Sequence, residues 1–330
     1  MIATVSDWPF DPADPLFLAD PYPVFDTMRE AGGVREHEGL GMPVAVSHAA
    51  CSAVLRHRSL GRIFSDATPL RQFPAFNLLH HNSLLENEPP THIRLRRLVA
   101  GAFGRGHIQR LRPWVERTAS ALVSNLADAI TVGGEADLLT QVAAPLPVQV
   151  IAELLGVPAE DRHLLQPWSN AIVKMYEYEL PAEQRRAAER ASSTFTGYLR
   201  ELAVERAKHP GEDLITDLVA ARDADGDRLS ADELVATAAL LLMAGHEASV
   251  NVVGNGVLAL LRHPRQWRRL VTSPELTESC VEELIRYDSP LQLFERTATA
   301  EIRIAGRLLR PGDKIAALLG AAARDPATFE

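Results

Sequence analysis

The chain has 330 residues, 46% of them hydrophobic and 23% charged, a globular balance that excludes disordered and fibrous classes. Thirty-four basic against 43 acidic side chains leave a net charge of −9, so no cationic surplus is available for a phosphate backbone and no nucleic-acid partner is expected. Two cysteines, Cys51 and Cys280, build no disulfide framework, residues 1–12 lack the pattern of a signal peptide, and the apolar stretch 234–245 is shorter than the roughly 20 residues a bilayer needs; a cytoplasmic protein with no membrane span is expected.

Three Asp-Pro pairs at 11–12, 14–15 and 20–21 make the entry segment a loop, because the residue before proline is pushed out of the helical region. A helix over 23–30 follows, then two short strands over 34–37 and 43–46 around a glycine-containing turn, with Ser47 capping the next helix. From Pro90 to Glu205 the spacing of apolar residues is helical, with breaks at Gly133-Gly134, 145–147 and Pro158. Ser230 with Glu233 forms a capping box that opens a helix running to Leu261, about 48 Å long. A helix over 277–287 stops before Ser289-Pro290, and strands over 301–305 and 307–309 flank Gly306 as a hairpin. The expectation is one mainly α domain over 1–330 with a small β-sheet region.

Several constellations carry chemistry. Ala244-Gly245-His246-Glu247-Ala248-Ser249 lies at the middle of the long helix, where glycine weakens a helix by about 1 kcal/mol and an acid is out of place in a core. Either Gly245 allows a close helix crossing and Glu247 faces solvent, or the small residues open a ligand groove beside which Glu247 and Ser249 supply protons. His92 and Arg96, four apart on a helix, read as a two-pronged anion clamp or a solvated basic face. Glu283 and Arg286, three apart, read alone as a surface salt bridge. Asp223-Ala224-Asp225-Gly226-Asp227 lacks the glycine and glutamate spacing of a calcium loop and reads as a polar turn. His80-His81 has no partner at metal-ligand spacing and reads as a loop pair.

Taken together and in order, these segments resemble the bacterial cytochrome P-450 family of haem-thiolate monooxygenases. The resemblance is carried by Leu18-Ala19-Asp20-Pro21-Tyr22-Pro23, Glu88 through Arg97, residues 150–158, the centre of the long helix, the Glu283-x-x-Arg286 pair, Arg296-Thr297-Ala298 and residues 320–326. It implies a cytochrome P-450-like helical domain, haem b, dioxygen, electrons from ferredoxin and ferredoxin reductase, and a hydrophobic small-molecule substrate such as a macrolide, polyketide or terpenoid. Phe73, Phe76, Leu78 and Leu79 would roof the substrate pocket or pack the core.

By the same resemblance, His92 and Arg96 hold the haem propionates from one side and Arg296 from the sheet side. Ala244, Gly245 and Glu247 line the oxygen groove, and Glu283 with Arg286 forms a buried structural ion pair under the proximal face. Where most members carry a threonine, this chain has Ala248, followed by Ser249, so proton delivery falls to Ser249, Glu247, a water or a substrate hydroxyl. No metal ligand is assigned within the chain: Glu330 precedes the glycine-rich loop whose cysteine binds iron in the family, the chain reads as truncated there, and Cys51 and Cys280 read as small core hydrophobes. An alternative, a haem-free relative that serves as partner of a glycosyltransferase, retains the fold without the cofactor.

Overall fold

The structure is a computed structural model that describes residues 10–103, 106–177, 180–221 and 226–329. Its contacts divide the chain into two units, Met1–Ile63 with Asn255–Glu330, and Phe64–Gly254.

The first unit is built on a sheet. Its strands are β1 (Val34–His37), β2 (Met42–Ala45), β3 (Leu60–Gly61), β4 (Leu293–Ala298), β5 (Ile302–Ile304), β6 (Arg307–Leu309) and β7 (Lys314–Leu318). Five of them form one sheet in the order β1-β2-β7-β4-β3, with β2 and β7 parallel. The helix Tyr22–Glu30 and the strand Val34–His37 match the sequence reading closely, and Ser47 caps His48–Arg56 by accepting the Ala50 amide at 3.2 Å. β5 and β6 form the expected hairpin, which turns through Ala305 and Gly306 at positive φ. β3, β4 and β7 were not expected, because β7 pairs with β2 and β4 with β3 across some 250 residues of sequence, which leaves no local pattern. Val44, Ala45, Ile315, Ala316 and Ala317 are fully buried, since a central strand covered on both faces reads as a continuous apolar run.

The second unit is helical. Thr91–Phe103, Pro145–Leu155, Arg162–Val173 and Ala182–Lys208 bury a shared core that includes Leu95, Leu155, Leu165, Ile172 and Phe195. Phe73, Phe76 and Leu79 are buried in that core and Leu78 packs against it. The helix Pro74–His81, which carries Phe76, Leu78 and Leu79, is capped from a distance: Glu189 on Ala182–Lys208 accepts the amides of Ala75 and Phe76, both at 2.9 Å. His80 and His81 therefore lie on a helix, contrary to the loop expected. His80 bonds the Phe76 carbonyl at 2.7 Å and the Tyr176 hydroxyl at 2.5 Å, and His81 bonds Asp66 at 2.6 Å. Residues 223–225 of the expected polar turn lie outside the described residues.

The long helix spans Ala231–Arg262, and the capping box forms as expected: Ser230 donates its amide to Glu233 at 2.8 Å and its hydroxyl accepts the Glu233 amide at 3.2 Å. At 32 residues it is long and apolar enough to cross a bilayer, which corrects the count based on 234–245 alone. In the structure Leu234, Val235, Ala238, Ala239, Leu242 and Met243 are buried in the core of the second unit, and a core helix meets the same criteria of length and composition.

Candidate functional site

In the second unit, helix Thr91–Phe103 presents His92 and Arg96 one turn apart. Its buried stripe, Leu95, Leu98, Val99 and Ala102, holds the helix to the core and leaves His92 and Arg96 off that stripe. Neither side chain has a hydrogen-bond or ion-pair partner among the described residues. Arg94, between them in sequence, is bound instead: it pairs with Glu233 and with Asp227 at 3.2 Å, and reaches the Arg228 carbonyl at 3.4 Å.

On the long helix, Ala244, Glu247 and Ala248 fall on one face by the i, i+3, i+4 rule. Ala244 and Glu247 are exposed and Ala248 is half-buried, whereas Leu242, Met243 and His246 are buried. Gly245 lies away from that face. A methyl group there would stand 2.8 Å from Ile151 Cδ1, so its missing side chain serves the close helix crossing that was one of its two readings. Ser249 lies about 100° around the helix from Ala248, and its hydroxyl donates to the Gly245 carbonyl at 2.9 Å. Although Glu247 is exposed, neighbouring protein atoms displace part of its water, and this desolvation together with the Glu177 carboxylate pushes its pKa above the ordinary carboxylate range. His246, missed as a feature by sequence reading, is buried with both ring nitrogens unbonded among the described residues, and burial pushes its pKa down.

In the first unit, Arg296 stands on β4 opposite Ile315, with its guanidinium 4.3 Å over the Phe294 ring. Arg62, which sequence reading passed over, lies 4.7 Å over the same ring; two cations on one aromatic have no signature in sequence. Glu283 and Arg286 form a bidentate pair at 2.7 and 2.6 Å, and the Arg286 bond lowers the Glu283 pKa. The pair was expected to be buried, yet the Glu283 side chain is 54% exposed, because helix Thr277–Tyr287 buries no residue. Arg286 also donates to the Ala323 carbonyl at 2.7 Å, and Arg324 donates to the Tyr287 carbonyl at 2.6 Å while stacking on Tyr22 and Tyr287.

A family profile described as cytochrome P450 matches residues 40–273. The chain belongs to the cytochrome P450 family. It is 37% identical over 320 residues to the cytochrome P450 monooxygenase PikC of Streptomyces venezuelae, an alignment covering 95% of this chain and 74% of that protein. It is 42% identical over 239 residues to the vitamin D(3) 25-hydroxylase of Pseudonocardia autotrophica, covering 72% of this chain and 57% of that one. Among solved structures, P450BioI in complex with an acyl carrier protein ligated to hexadec-9Z-enoic acid matches with a TM-score of 0.87 at 31% identity, over 96% of this chain and 81% of that one. The polyketide synthase cytochrome P450 PksS of Bacillus subtilis matches with a TM-score of 0.84 at 32% identity, over 97% and 80%.

Cytochromes P450 are haem-thiolate monooxygenases, and on the carboxylate side this chain fits haem. His92 and Arg96 are adjacent donors that no described protein acceptor satisfies, which is the donor set that a propionate requires. Neither cysteine fits the iron. Cys51 is buried, donates to the Ala45 carbonyl at 3.2 Å, and burial pushes its pKa up to about 12, so it stays a thiol. Cys280 is half-buried on Thr277–Tyr287, a correction to its reading as a core residue.

Proposed function

We propose that residues 1–330 form one cytochrome P450 domain that binds haem b and takes part in hydroxylation or epoxidation of a hydrophobic small molecule, such as a macrolide, polyketide or terpenoid, in the cytoplasm. Electrons would come from a ferredoxin and its reductase, and relatives named for polyketide and vitamin D chemistry support an apolar substrate. The haem supplies dioxygen activation when bound. His92 and Arg96 bind its propionates, a task that the family resemblance extends to Arg296. Ala244 and Ala248 keep their shared helix face low, Gly245 lets that helix approach its neighbour, and Glu247 retains a proton near neutral pH better than an ordinary carboxyl group does. Glu283 and Arg286 fix helix Thr277–Tyr287 to the backbone at Ala323.

The single observation that carries this reading is the pair His92 and Arg96, side by side on one helix and without a protein partner among the described residues. A haem-free partner of a glycosyltransferase would have no carboxylates to offer them. The test compares the affinity of the full chain for haemin and for haemin dimethyl ester. The parent should prefer the free acid, and H92Q/R96Q should lose about tenfold or more in affinity for the acid with little change for the ester. Equal affinity for acid and ester in the parent would refute the reading.

A further inference from the structure

We propose that Arg94 is a positioning residue for His92 and Arg96: clamped by Glu233 and Asp227, it fixes the rotation of helix Thr91–Phe103 about its axis and so aims both carboxylate-binding donors. This rests on the haem reading above. On a helical wheel with His92 at zero, Arg96 falls at about 40° and Arg94 at about 200°, and the buried Leu95, Leu98, Val99 and Ala102 lie between about 240° and 340°. The two functional donors thus flank one side of the apolar stripe and Arg94 flanks the other.

The stripe alone leaves the roll of the helix soft, because hydrophobic contact is non-directional. A charge-assisted bond is directional and removes that freedom. At a side-chain radius of about 5–6 Å, a roll of about 10° moves a donor tip by about 1 Å. Such a displacement is larger than the span of a good hydrogen bond, about 2.7–3.2 Å between heavy atoms.

The Glu233 end of the clamp is itself held in place. Glu233 is only 12% exposed; one of its oxygens takes Arg94 while the other accepts the Ser230 amide at 2.8 Å. It also opens the helix that carries Ala244, Glu247 and Ala248. One carboxylate therefore joins the donor-bearing helix to the helix that carries Ala244, Glu247 and Ala248 within the second unit.

The test is the affinity of the full chain for protoporphyrin IX and for its dimethyl ester, read by fluorescence, in the parent, R94Q, E233Q, the double variant and R94K. E233Q keeps a capping-box residue while removing the charge. R94Q and E233Q should each weaken protoporphyrin IX about tenfold, the double variant no more than either alone, with ester affinity unchanged; R94K, which keeps the ion pair, should recover most of the loss. A preference for the acid that survives R94Q, an equal loss for acid and ester, or a folded R94K that binds as poorly as R94Q would overturn the role of Arg94 alone. A parent with no preference for the acid would overturn the haem reading and this proposal with it.

Discussion

Ser249 donates its hydroxyl to the carbonyl of Gly245 at 2.9 Å, one turn back on the same helix. Helix-interior serines adopt this bond readily, and here it commits the only hydroxyl that sequence offered in place of the family's threonine. Ser249→Ala should accordingly change stability by no more than about 0.5 kcal/mol and leave product formed per NAD(P)H unchanged in a form of the chain extended through the family's cysteine loop. A several-fold loss of coupling would show that the hydroxyl leaves Gly245 to act.

Glu247 is the acid on the helix face shared with Ala244 and Ala248. Partial desolvation and Glu177 favour its protonated form. In the same extended form, Glu247→Ala is expected to slow product formation by about 10² or more and divert electrons to hydrogen peroxide, whereas Ala248→Thr should leave coupling equal or better. Retention of both rate and coupling by Glu247→Ala would remove it from proton delivery.

His246 makes a stability prediction. Its folded pKa is depressed relative to about 6.5 in the unfolded chain, so the unfolded state binds the proton first. Stability should be fully present above about pH 7 and fall as pH drops through 6.5 toward the folded pKa. His37, whose pKa burial also lowers, contributes in the same direction. His246→Leu should reduce that acid loss in urea unfolding and, by removing two unsatisfied buried nitrogens, stabilise the protein at pH 7 by about 1 kcal/mol. Lower stability with an unchanged pH slope would show that the ring has a partner the fold needs.

Gly156 tests the polar lock of the second unit. It ends helix Pro145–Leu155 at φ +74°, and a methyl group there would stand 2.3 Å from the Asp213 carboxyl group. Asp213 holds Arg206 at 2.5 Å and caps Leu214–Ala220 through the Thr216 amide at 2.8 Å, while Arg206 bonds the Gly156 carbonyl at 2.6 Å. Gly156→Ala should therefore cost about 3 kcal/mol, combining left-handed strain with loss of a buried charge pair. Chemical denaturation reads this directly, and a change below about 1 kcal/mol would contradict the lock.

Much of this was legible in sequence for local reasons. The capping box at Ser230 and Glu233, the hairpin at Gly306 and the helix ending before Ser289-Pro290 are each specified within a few residues. What stayed hidden is non-local. β7 pairs with Val44 and Ala45 and β4 with Leu60 and Gly61, the double cap of Pro74–His81 comes from Glu189 more than 100 residues away, and the Arg94–Glu233 pair spans 139 positions. The site residues were named from ordered motifs, but their surroundings were not. Spacing could not tell that Ser249 would turn back to Gly245, that Glu283 would stay exposed, or that His246 would be buried without a partner among the described residues.

The most direct measurement is the carbon monoxide difference spectrum of the reduced, haem-loaded protein, recorded for residues 1–330 and for a chain that carries the family's cysteine loop after Glu330. The extended chain should give the thiolate-type band and residues 1–330 should bind haem without it, because Cys51 is held as a buried thiol and Cys280 lies on a helix the family does not use for ligation. A thiolate-type band from residues 1–330, or none from the extended chain, would contradict the account.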